Sequence, residues 1–198
     1  VTSDLDGNPR VVGDEVDMGA YEYQAYTLTV SQVGEGQVIK TPDQPTYHYG
    51  DVVTFTATAD PGWTFLDWSG DVLTTTNQLT LTIIGHTAVT ATFTVDEYTL
   101  DVNTIGDGAV GKDPDQPTYG YGDVVTLTAT ADPGWTFLDW SGDAITTTNP
   151  LTLTIMRHTA ITATFSQDEY ALDVTVVGDG GAIGKDPNQS TYHYGDVV

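Results

Sequence analysis

The stretch VVTFTATADPGWTFLDWSGD occupies Val52–Asp71, and VVTLTATADPGWTFLDWSGD occupies Val124–Asp143. In its opening half, Val53, Phe55, Ala57 and Ala59 alternate with Thr54, Thr56 and Thr58. Strict alternation marks a strand with one face buried and one in water. Threonine suits the wet face because its branched β-carbon favours extended backbone. Asp60-Pro61-Gly62 then supplies a turn, Trp63 begins a second strand, and Ser69-Gly70-Asp71 closes it. No segment of ten or more residues carries a helical period. The reading is all-β.

Working outward, the same grammar covers most of the chain. Leu79–Ile83 and Val89–Val95 alternate in the same way. Gly34-Glu35-Gly36 and Gly106-Asp107-Gly108 have the composition of tight hairpin turns. Tyr26 opens YTLTV, Tyr98 opens YTLDV and Tyr170 opens YALDV, each 72 residues after the last. Such a period is the mark of a tandem array. Four segments result: 1–24 outside the repeat, 25–97 and 98–169 as two full units, and 170–198 as a truncated third. Each full unit holds about six short strands by this reading, which predicts tandem small antiparallel β-sandwich or β-grasp-like domains with little or no helix. The third unit should hold two strands and the start of another. Its unpaired edges would be completed by residues beyond the chain or by a neighbouring subunit, the latter giving head-to-tail self-association into a filament.

Composition narrows the function. The 198 residues carry 28 acidic against 5 basic side chains, a formal charge of −23. That balance disfavours nucleic acid and anionic lipid as partners. No stretch approaches the roughly 20 apolar residues of a membrane-spanning helix. With no cysteine, units near the lower size limit for a stable core depend on sheet bonding and aromatic packing.

The pattern YTLTV…GxG…K…PDQPTYxYGDVVTxTATADPGWTFLDWSGD…TTTNxLTLTI…HTAxTATF resembles the divergent internalin-B-type B-repeat of bacterial surface proteins. The likeness spans Ala25–Glu169 and runs into Tyr170–Val198. It implies an extracellular or cell-surface location and a spacer role in a larger protein. Separately, Asp4–Gly13 and Val16–Tyr23 resemble the last rung and tail of a secreted right-handed parallel β-helix of the pectate-lyase kind. That likeness implies a β-helix upstream.

Candidate sites are few. Trp63, Phe65 and Trp68, with Trp135, Phe137 and Trp140, read either as core or as a sugar-stacking platform; core is the simpler use of large aromatics in so small a domain. Gly50, Gly62, Gly122 and Gly134 read as turn residues. Asp4, Asp6 and Asn8 place oxygen ligands at alternate positions, a partial calcium pattern that lacks the distal acidic ligand. Asp43, Asp113, Asp115 and Asp186 are weaker cation candidates. His86 and His158 share one repeat position and read as exposed turn residues. Lys40 with Asn77, and Lys112 with Asn149, could in principle form an isopeptide crosslink. Ser69 and Ser141 lie in turns without a nucleophile elbow, and no catalytic set is evident. The expected role is therefore non-enzymatic and cofactor-free: a rigid spacer, stalk or fibre subunit. An adhesin module binding polysaccharide, and a non-catalytic part of a carbohydrate-active β-helix enzyme, are the alternatives.

Overall fold

The structure, a computed structural model, describes Val11, Val12, Glu15, Val16 and residues 25–198. The β-helix reading and the calcium candidates Asp4, Asp6 and Asn8 lie outside the described residues, apart from a two-strand ladder between β1 (Val11–Val12) and β2 (Glu15–Val16). Two compact units, Val1–Asp96 and Glu97–Val198, account for the chain.

The first unit holds one repeat of six strands: β3 (Leu28–Val33), β4 (Gly36–Thr41), β5 (Val52–Ala59), β6 (Trp63–Gly70), β7 (Gln78–Thr82) and β8 (Thr87–Val95). They form two three-stranded sheets, ordered β3-β8-β6 and β4-β5-β7. The second unit repeats this with β9 (Leu100–Ile105), β10 (Gly108–Asp113), β11 (Val124–Ala131), β12 (Trp135–Gly142), β13 (Leu151–Thr154) and β14 (Thr159–Gln167). Its sheets are β9-β14-β12 and β10-β11-β13. No described residue is helical, so the protein is all-β, built of tandem small sandwiches.

Alternation does what it predicts in β5, where Val53, Phe55 and Ala57 point inward. They meet Leu28, Trp68, Val89, Ala91 and Phe93 from the other sheet, and Tyr47, Leu79 and Ile83 complete the core. The second core repeats this list with Leu127 for Phe55 and Ile161 for Val89. All four of these side chains are buried. One substitution removes volume and the other adds it, the combination that cores tolerate best.

Three features depart from simple alternation. First, the Gly34-Glu35-Gly36 turn does not make a hairpin. β3 and β4 belong to different sheets, and the turn carries the chain across the sandwich. Gly36 lies so close to the Phe93 ring that an added Cβ would come within 2.6 Å of it, which leaves room for glycine alone. Second, β3 runs parallel to β8, from Leu28↔Thr87 to Val33↔Thr92, while the other pairings are antiparallel. The same holds for β9 and β14. Third, the ladder between β6 and β8 skips Leu66, and that between β12 and β14 skips Leu138. Phe65 and Trp68 are three apart, so unbroken alternation would send them to opposite faces. The bulge turns both toward the core, where their ring centroids are 5.4 Å apart.

The third copy corrects an expectation. Within residues 170–198 no strand forms; only the bridge Tyr170↔Tyr192 survives. The partner that β3 and β9 use is the strand equivalent to β8 or β14, and the 198-residue sequence contains no third version of it. Leu172, equivalent to buried Leu28 and Leu100, is 38% exposed.

Candidate functional site

The repeated motifs place their polar groups at the two ends of each sandwich, so those ends are where a site would be built. At the first end, backbone hydrogen bonds join Tyr26 to Tyr47: the Tyr26 N–H donates to the Tyr47 carbonyl at 2.7 Å, and the Tyr47 N–H to the Tyr26 carbonyl at 3.0 Å. The buried Tyr47 ring sends its hydroxyl into the Pro42–Pro45 loop. It donates to the Pro42 carbonyl at 2.8 Å and accepts from the Gln44 N–H at 3.1 Å. Lys40 lies 5.5 Å from the centre of that ring and 3.0 Å from Asp43. The Asp43 carboxylate raises the Lys40 ammonium above its usual range, against a smaller opposing effect of burial. Tyr119 repeats both hydroxyl bonds, and Lys112 pairs with Asp115 at 2.9 Å with its ammonium likewise raised. In the third copy Tyr192 keeps both hydroxyl bonds, and Lys185 lies 5.7 Å from its ring centre. The PDQP loop is thus held by a tyrosine, and Asp43 and Asp115 each have a lysine partner.

Beside it stands a staple that alternation and turn chemistry do not reveal. His86 is not a free turn residue: its Nδ1 accepts the Thr27 N–H at 3.1 Å, and its ring meets Tyr26 edge-on at 5.6 Å. His158 does the same with Thr99 and Tyr98. The one signal in the sequence is the pairing of a histidine with a tyrosine 60 residues earlier in both copies.

Aspartates close both ends: Asp71 at this same end, where Ala88 follows Thr87 at the start of β8, and Asp96 at the opposite one. In Trp-Ser-Gly-Asp, Asp71 accepts the Ala88 N–H at 2.7 Å and donates its own N–H to the Ala88 carbonyl at 3.0 Å. Gly70, at φ 102°, sits where an added Cβ would strike that same carbonyl. Asp143 repeats the clamp on Ala160 and adds Arg157 at 3.2 Å. The Ala160 N–H, then the Arg157 guanidinium, hold its carboxyl below the usual range. Asp96 closes the last strand, giving its N–H to the Gly62 carbonyl at 2.7 Å and accepting the Thr64 hydroxyl at 2.7 Å. Asp168, Gly134 and Thr136 copy this at 2.8 and 2.6 Å.

The aromatic candidates go to the interior. Trp68 and Trp140 have no exposed surface, and their indole N–H groups donate to the carbonyls of Asn77 and Thr148 at 3.0 and 3.1 Å. Trp63, Phe65, Trp135 and Phe137 are half-buried against the same cores. Gly50, Gly62, Gly122 and Gly134 all have φ between 81° and 89°. Asn77 and Asn149 reach the backbone and not a lysine: Asn149 accepts the Ala129 N–H at 3.0 Å and donates to the Ala129 carbonyl at 2.8 Å. Among the described residues, no three His, Cys, Asp or Glu side chains converge in a way that could hold a metal ion. Within the second unit, Gly134 also meets the third copy. A Cβ there would lie 2.9 Å from Cγ of Tyr194 and would overlap its Cβ.

A family model described as the divergent InlB B-repeat domain matches residues 26–97 and again 98–169. No curated protein matches the chain.

Proposed function

The chain belongs to the divergent InlB B-repeat domain family, and from that premise we propose that it is a non-catalytic spacer, holding another region of an extracellular bacterial protein away from its attachment. The family is typical of bacterial surface proteins, and a tandem repeat region of a surface protein is the role it suggests. One observation carries the finer reading. The polar side chains shared by both repeats, Tyr47, Asp71, Asn77, His86 and Asp96 with their counterparts, spend their hydrogen bonds on the repeat's own backbone and side chains. A binding or catalytic module would keep some of them aimed at a ligand. The buried Trp68 and Trp140 cannot offer a face to a sugar, which takes the strongest residues away from a polysaccharide-binding role.

The test is display. One, two or three copies of residues 26–97 are placed between a cell-surface anchor and an epitope, and access of a large antibody is measured. Access should rise with copy number and be unchanged by Leu73→Asp on the exposed loop. No dependence on copy number, or capture of surface polysaccharide by the repeats, defeats the reading.

Strand complementation between copies has one supporting observation: Leu172 and Val174 of the third copy are 38% and 43% exposed, where Leu28 and Leu100 are buried and Val30 and Val102 half-buried. Sedimentation should then show concentration-dependent chains. A monodisperse monomer argues against it.

A further inference from the structure

The strand order gives the two ends of a repeat a mechanical relation. The chain comes in at the start of β3 and goes out at the end of β8. These two strands are hydrogen-bonded neighbours and run in the same direction, paired from Leu28↔Thr87 to Val33↔Thr92. Tension on the ends therefore draws β3 backward and β8 forward along one common axis. All six pairs are loaded together. Two antiparallel strands pulled from adjacent ends would instead separate pair by pair.

The polar groups at the ends of the sandwich act on this same pair. Where the pull comes in, the Tyr26 backbone is bonded to Tyr47, and Thr27 is bonded to His86 and accepts the Thr87 N–H at 3.0 Å. Where it goes out, Asp96 is held by Gly62 and Thr64. β8 also has β6 on its other flank, so it cannot move without shearing a second ladder. Every one of these features recurs in the second repeat, with β9 parallel to β14, Thr99 on His158, and Asp168 on Gly134 and Thr136.

We propose that each repeat is a shear clamp: a module whose first and last strands, with the bonds at their ends, resist pulling along the chain. Its use as a load-bearing link rests on the spacer reading, but the resistance itself follows from strand order. The partner implied is tension between an anchor and whatever the distal region of the protein holds.

Single-molecule force spectroscopy on the full chain tests this. The absence of native cysteines lets the attachment points be chosen. Pulled from both ends, the chain should show two unfolding events. Each should release about 72 residues, roughly 250 Å of extended chain before the folded end-to-end distance is subtracted. In the variant Thr29→Cys/Ala88→Cys, with handles on the two introduced thiols, β3 and β8 are drawn apart sideways at a matched pair. The first repeat should then open at less than half the end-to-end force at the same loading rate, because forced unfolding follows the barrier along the pulling direction. Thr64→Val, which removes the hydroxyl bond to Asp96 on an exposed side chain, should lower the end-to-end force and leave the sideways force unchanged. Equal forces in the two geometries overturn the clamp, as does a Thr64→Val variant equally weak in both. Either result still leaves the spacer reading standing if two full-length events appear; loss of the two events removes the independent modules on which that reading depends.

Discussion

Asn149→Ala is the sharpest probe of how these sandwiches hold themselves shut. Asn149 lies outside any strand, yet its side chain bonds both backbone groups of Ala129 in β11, accepting at 3.0 Å and donating at 2.8 Å. It extends the ladder beyond the point where β13 stops pairing at Leu151↔Leu127. Truncation to alanine orphans one N–H and one C=O on a buried residue. Each orphan costs about 1–3 kcal/mol when water cannot replace the partner. Asn149 itself is exposed, so water reaches the gap and the low end applies to both. The expected loss is about 2 kcal/mol, near thirtyfold in the folding equilibrium, and a fall of roughly 10 °C in Tm for a domain of this size. Guanidinium unfolding followed by tryptophan emission reads it, since each full repeat carries two of the four tryptophans. Only the portion of the signal belonging to the second repeat should move. Asn149→Asp keeps an acceptor for the Ala129 N–H but sets a second acceptor against the Ala129 carbonyl, so it should not restore stability. A loss under about 0.5 kcal/mol, the range of ordinary surface changes, would show that the side chain is dispensable and the reasoning wrong.

Tyr119→Phe keeps the buried ring but removes bonds to the Pro114 carbonyl and the Gln116 N–H; a loss of about 1–2 kcal/mol is expected by denaturation, with faster amide exchange at Gln116. Asp143 has a folded-state pKa below the ordinary carboxylate value, held there first by the Ala160 N–H and then by Arg157, so its contribution is complete above that ordinary value and disappears as pH falls through the lowered one; acid unfolding of Asp143→Asn, compared with wild type, should show the difference narrowing only in that acidic window and constant near neutrality. Gly134→Ala and Gly122→Ala both force a side chain into positive φ, costing about 1–2 kcal/mol each, but only Gly134 also faces Tyr194. The excess cost at Gly134 should disappear in a Tyr194→Gly background, which removes the Cβ that the new side chain would strike, and amide exchange around residue 194 should rise in Gly134→Ala alone.

What the sequence made legible were the features with a local cause. β5 and β11 follow from alternation in Val53–Ala59 and Val125–Ala131. The turn at Asp60-Pro61-Gly62 follows from a glycine that must adopt φ 82°. Features with a distant cause were hidden. The bulge at Leu66 exists because Trp68 must reach Phe55 and Phe65, a demand made by residues on other strands. The parallel pairing of β3 with β8 joins strands about 60 residues apart, and alternation is the same whichever direction a neighbour runs. His86 is exposed, as its turn position suggests, but its bond to Thr27 was hidden because the two lie 59 residues apart. The third copy separates the two kinds of cause: Tyr192 keeps its bond to Pro187, only five residues away, while the stretch equivalent to β3 forms no strand without its distant neighbour.

The placement of β8 has a consequence for how the chain comes into being. It is the middle strand of its sheet, flanked by β3 and β6, and it is the last strand of the repeat in sequence order. A chain emerging from a ribosome therefore holds Leu28, Phe65 and Trp68 uncovered until residue 95 is free, when one insertion closes the repeat. Strands this distant in sequence make closure slow relative to local pairing. Meanwhile the following copy brings β14, whose Thr159–Phe165 differs from Thr87–Phe93 only by Ile161 for Val89, and which could fill the slot beside β3 as readily as beside β9. Tandem arrays of near-identical domains are prone to such misassembly. In this fold the hazard is confined to the interval before the correct central strand arrives, so the pace of translation through residues 87–95 and 159–167 should govern the yield of properly ordered repeats.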